Sequence, residues 1–184
     1  MIEGNLAQVA ESEDARLHQP RLHELHAYWA RTAEASGGVP HRAEIDPIDI
    51  PHLLPDLYVV QYHPANDGFY VRLAGTRLVE LRGDDPTGKY VGEDLHGPAA
   101  PLVDAFFRRV LAERRPLGVT GRAVWVPGKE WAPVEALALP MRTGDAAPDE
   151  VLGCYLRDGA PATFSGGGHG DALQGMQILT RPVG

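Results

Sequence analysis

Residues 69–93, FYVRLAGTRLVELRGDDPTGKYVGE, decide the fold. Phe69, Val71 and Leu73 alternate with Tyr70 and Arg72, the period-2 pattern of a strand with one face buried. Gly75-Thr76 breaks that strand, and Thr76 is placed to cap a short helix running through Leu81. Asp84-Asp85-Pro86-Thr87-Gly88 is turn chemistry throughout. The loop GDDPTGK at 83–89 has some likeness to a phosphate-binding loop, but its glycine spacing is wrong and no Ser or Thr follows Lys89. Asp84 and Asp85 are adjacent and point apart in an extended loop, which makes them a poor acid/base pair. Strand, short helix and loop follow one another with little reactive chemistry.

Upstream, Leu57–His63 reads as another strand, and HPANDGF joins it to Phe69–Ala74 as a hairpin. In RAEIDPIDIPHLLPDLYVV, Pro47, Pro51 and Pro55 recur every four residues and exclude a long helix. Short turns carrying Ile45, Ile48, Ile50, Leu53 and Leu54 into the core are expected instead. Arg16–Ala33 is helical, with Leu22, Leu25 and Trp29 on one stripe, Pro20 near the first turn and Gly37-Gly38 as the stop. Downstream come a helix over Pro101–Glu113, with Leu102, Phe106 and Val110 inward, and strands at Leu117–Val126, Trp131–Leu139 and Val151–Arg157. MQILTR at 176–181 is a candidate late strand. The organisation is therefore a polar, mobile N-terminus at 1–15, a helix at 16–36, a domain at 40–158 and a Gly-rich tail at 159–184. The fold class is α+β: one antiparallel sheet with helices on one face, plus the N-terminal amphipathic helix.

The 184 residues suffice for one domain with its own core. A net charge of -8 opposes nucleic acid, and no apolar run approaches the roughly 20 residues of a membrane helix. The acidic start MIEGNLAQVAESEDAR lacks the order of a signal peptide, and Cys154 is the single cysteine. A soluble cytoplasmic protein is expected.

Four segments carry a resemblance: LHAYWART at 25–32, IDPIDIPHLLPDLYVV at 45–60, FYVRLAGTRLVELRGDDPTGKY and WAPVEALALPM at 131–141. Together they resemble a proteobacterial family of single-domain PAS-like proteins, over about residues 20–157. The resemblance implies a five-stranded antiparallel sheet and a ligand pocket between sheet and helices. It also implies a sensory regulator that stands alone and acts on another protein, such as a histidine kinase. It identifies no cofactor, and the Gly-rich tail lies outside it.

Glu135 is the most unusual polar residue. Period-2 alternation puts it with Trp131, Leu137 and Leu139, opposite Ala132, Val134, Ala136 and Ala138. A buried carboxylate needs a partner, and Arg72 or Arg122 can supply one bidentately. The pair is either a fold-locking ion pair or a polar anchor for a ligand. Tyr70, Arg72, Thr76, Arg122 and Glu135 are the candidate ligand-binding residues. Leu22, Leu25 and Trp29 are the candidate interface, either docking on the small-residue face of the protein's own sheet or taking part in a homodimer. His18, His23 and His26 read as surface histidines rather than a metal site. His96 precedes the second long helix, but that helix holds no histidine for a haem. Cys154 is misplaced for flavin photochemistry and reads as core. RVLAERRP at 109–116 is a solvated helix end or a patch for an acidic partner. A non-enzymatic sensory domain is the leading expectation. The alternatives are an enzyme using Glu135 as a buried acid or base, and a structural module with a filled core.

Overall fold

The computed structural model describes residues 10–12, 17–122, 126, 128, 132–156 and 177–179. The other positions of the expected N-terminal segment and Gly-rich tail, and Trp131, lie outside the described residues. Among the described residues seven strands form one sheet: β1 (Ala10–Ser12), β2 (Leu57–His63), β3 (Gly68–Ala74), β4 (Leu117–Arg122), β5 (Pro133–Met141), β6 (Glu150–Leu156) and β7 (Gln177–Leu179). Their order is β1-β7-β4-β5-β6-β2-β3. The five strands β4-β5-β6-β2-β3 pair antiparallel throughout. β7 adds antiparallel to β4, and β1 adds parallel to β7. The late strand expected at 176–181 is present as β7, whereas β1 carries no pattern that announces it.

The described residues also form four α-helices: α1 (Pro20–Ser36), α2 (Thr76–Arg82), α3 (Glu93–His96) and α4 (Ala100–Glu113). α1 begins at Pro20, whose missing N–H costs nothing in a first turn, and ends on Gly37 in the left-handed region at φ 70°. Short turns do take the place of a long helix, at Arg42–Glu44, Pro47–Asp49 and Leu54–Asp56, the last two carrying Pro47 and Pro55. Not all of their apolar residues enter the core. Ile50 and Leu53 are buried, but Ile48 is 81% exposed and Leu54 is also exposed. Ile50 and Leu53 are three residues apart and so lie on one side of the chain, which leaves their neighbours facing out.

Two apolar cores sandwich the sheet. On the inner face, Tyr58, Val60, Val71, Val119, Val134 and Ala136 meet α2, α3 and α4. On the outer face, Leu137, Leu139, Met141, Leu152 and Cys154 meet Leu22, Leu25 and Trp29 of α1. Burying a side chain of this size contributes on the order of 1.5–3 kcal/mol. β5 and β6 lie between both cores and are buried almost residue for residue.

This corrects the expected faces of β5. α1 docks on the large residues Leu137 and Leu139, and the alanines face the inner core. Tyr58, Phe107 and Tyr155 supply the bulk there, so small partners are what the inner face has room for. Leu73 is a second correction. The register shift between Val59 and Val60 places it opposite Val59, away from Phe69 and Val71, and it ends exposed. Thr76 is a third: the N-cap of α2 is Gly75, and Thr76 is the first helical residue, with no side-chain cap. A Cβ on Gly75 would sit 2.3 Å from the Pro55 carbonyl oxygen, so this position admits only glycine.

Candidate functional site

A cavity of about 90 Å³ lies between the inner face and the helices. Tyr58, Val60, Val71, Val119 and Ala136 form its sheet side, and Leu78, Leu95, Leu102, Phe106 and Phe107 its helix side. The aromatic rings brace one another, with Phe107 5.9 Å from Tyr58 and 5.4 Å from Phe69 between centroids. Gly153 gives the Tyr58 ring its place: a Cβ there would come within 1.9 Å of the ring. Burial pushes the Tyr58 and Tyr155 phenols up, so both stay protonated.

Four polar side chains break this apolar wall: the Tyr58 and Tyr155 phenols, Arg82 and His96. Arg82 ends α2, and its side chain is 8% exposed. Nη2 donates to the Leu95 carbonyl at 2.9 Å, but Nε is buried without a hydrogen-bond partner. The nearest carboxylate, Asp84, stands 3.5 Å from Nε, is half exposed, and is held by Lys89 at 2.7 Å. His96 ends α3 and is 9% exposed, with its Nδ1 buried and without a partner. Burial, assisted by the Arg82 charge, lowers its pKa to about 4, so the imidazole is neutral.

The five expected ligand residues lie elsewhere; none lines this cavity. Tyr70 stacks on His63 at 5.1 Å and meets Tyr90 edge-on at 5.4 Å. Thr76 is exposed. Arg122 ends β4, opposite Pro133. Arg72 donates to Gln61 at 2.9 Å and reaches Glu150, not Glu135, at 3.5 Å. Glu150 is fully buried and also receives Arg42 at 3.0 Å. Burial pushes its carboxyl up even so.

Glu135 is 0% exposed, but its partner is not an arginine. One carboxylate oxygen accepts from the backbone N–H groups of His18 at 2.7 Å and Gln19 at 2.9 Å. The other lies 2.9 Å from His18 Nδ1. Gln19 is the N-cap of α1 and offers no side-chain cap of its own. Glu135 therefore caps the start of α1 from the outer face of β5, where a negative charge also suits the helix dipole. A carboxylate saturated by three donors and remote from the cavity is an anchor, which removes the observation an acid/base enzyme needs.

Leu22, Leu25 and Trp29 are buried on the chain's own sheet, and Trp29 Nε1 donates to the Pro140 carbonyl at 2.9 Å. The stripe is an intramolecular interface. Among the described residues no set of three His, Cys, Asp or Glu could hold a metal ion, and no helix is long and apolar enough to cross a membrane. Of the residues sequence reasoning missed, Arg82 carries a signal. It stands four residues after Leu78, so the two share the buried face of α2. His96 carries none, because α3 is too short for a periodicity.

The PAS domain family model matches residues 17–156, taking in α1 as well as the five-stranded sheet. Among solved structures, the crystal structure of Rhodobacter sphaeroides LOV protein is similar at 19% identity and a TM-score of 0.40, over 64% of this chain and 71% of that one. No curated protein matches.

Proposed function

The chain belongs to the PAS domain family, and from that membership we propose a non-enzymatic sensory module that binds a small ligand in its inner cavity and reports through α1. One observation carries this reading: the helix that walls the cavity and the helix on the opposite sheet face share a carboxylate. Asp56 is buried, and its Oδ2 receives Arg77 of α2 at 2.6 Å and Arg21 of α1 at 2.9 Å. α2 contributes Leu78 and Arg82 to the cavity wall. A ligand that moves α2 by part of an ångström disturbs an ion pair that α1 also needs. The result is a shift in how α1 packs, read by a signalling protein such as a histidine kinase.

The unfilled space speaks against a purely structural module, whose interior would close on itself. The saturated Glu135 speaks against catalysis on the outer face.

The test is a titration with small apolar molecules, read by hydrogen exchange. Binding that protects α2–α4 and changes exchange in α1 supports sensing and output. Binding that leaves α1 unchanged removes the output, and native mass spectrometry of fresh protein showing no co-purified ligand, with no probe bound, removes the sensing.

A further inference from the structure

Besides the Tyr58 and Tyr155 phenols, the polar groups on the cavity wall are a guanidinium and a neutral imidazole, close enough for the Arg82 charge to act on His96. Arg82 is buried along its length, and its Nε donates to nothing. The one carboxylate near it is 3.5 Å away, half exposed and engaged by Lys89. A cation buried in apolar surroundings is costly unless an anion meets it. The imidazole of His96 adds a second nitrogen without a partner on the same wall. Resting on the reading of the cavity as a ligand site, we propose that it selects a small monocarboxylic acid with a branched apolar body. The carboxylate meets Arg82 and His96, and the body lies among Leu78, Val60 and Phe107.

The chemistry argues for this class over its neighbours. A guanidinium fork matches a carboxylate in plane, and a neutral imidazole with its proton on Nδ1 donates to the same group. A dicarboxylate or a phosphate ester would bring further negative charge, and the wall offers it no second cation. A neutral hydrocarbon would fill the space but leave Arg82 Nε and His96 Nδ1 without hydrogen-bond partners. Size sets the body. At about 90 Å³ the cavity is smaller than the engineered cavity of about 150 Å³ that holds benzene, so a body of about four or five carbons fits without moving the walls.

The experiment compares isovalerate with 3-methylbutan-1-ol, the same body without the charge, by calorimetry and hydrogen exchange on the full chain. Isovalerate should bind at least about tenfold tighter, the scale of a charged hydrogen bond in a buried site. Arg82→Met should erase that difference and leave the alcohol's affinity unchanged. Arg82 also holds the Leu95 carbonyl, so Arg82→Met could fail to fold; Arg82→Lys and His96→Phe then serve, each expected to weaken the acid severalfold and spare the alcohol. Equal affinity for acid and alcohol overturns the monocarboxylate while leaving the cavity a ligand site. Acid binding that none of these variants weakens places the acid elsewhere and overturns the proposal. Failure of both probes to bind overturns the ligand-site reading together with it.

Discussion

A histidine that cannot be protonated in place makes folding sensitive to acid. His96 ordinarily takes a proton near 6.5, and burial beside Arg82 delays that to about 4. Between those values the unfolded chain binds the proton and the folded chain does not, so stability falls as pH drops through that window. The full effect is about 3 kcal/mol, present above pH 6.5 and lost by pH 4. Glu150 works in the opposite sense: its folded carboxyl is pushed up, so acid relieves it. The measurement is therefore a difference. Urea unfolding of the protein and of His96→Phe at several pH values from 7 to 4 should show the variant with the shallower acid loss. Parallel curves would mean that His96 is protonated in the folded state.

Glu135 is the other residue whose burial has a consequence. Glu135→Gln keeps one acceptor oxygen for the two backbone N–H groups but removes the charge that strengthens those bonds and sets an NH2 against His18 Nδ1. It should cost roughly 2–3 kcal/mol in urea unfolding, with exchange rising first at the start of α1. A loss below about 0.5 kcal/mol would show that water caps α1 equally well.

At the scale of elements, Asp56 is where the two helices can be uncoupled. Asp56→Asn weakens both ion pairs without opening a cavity, and the two arginines are half exposed, so they rehydrate. Exchange in α1 and α2 should rise together, severalfold in each. A rise in α2 alone would mean that Arg21 is incidental to α1. The elements themselves were largely legible. β2 is the stretch that alternation and proline punctuation delimit, and α1 starts at its proline and stops at its glycine. What did not read out was which core each face meets. β5 alternates Leu and Ala cleanly, but both faces are buried, so period 2 separates them without assigning them. The partner of Glu135 was equally hidden. It is a helix start more than a hundred residues away, and backbone N–H groups leave no mark in a sequence. Arg82 was readable from its spacing to Leu78, whereas His96 needed the fold.

At the scale of the molecule, α1 and the cavity lie on opposite faces of one sheet, and outside the sheet Asp56 joins α1 to α2. Sensing requires that they be linked, and linkage is reciprocal: if occupancy changes how α1 docks, loosening α1 must change affinity by the same factor. Trp29 is the place to test this. It shares the outer core with Leu139 and Met141, donates to the Pro140 carbonyl, and does not line the cavity. Trp29→Ala should cost about 3–5 kcal/mol of stability. In the fraction that remains folded, isovalerate should bind with a Kd shifted by about fivefold or more, the lower end of typical coupling. The α1 stripe is buried against Leu137, Leu139 and Leu152, so the same variant should also expose apolar sheet and raise self-association in light scattering. If Trp29→Ala destabilises the protein but leaves Kd unchanged, α1 is a cover and not an output. The signal must then leave from the cavity side, through α2 or α4, and the search for a partner surface moves to that face.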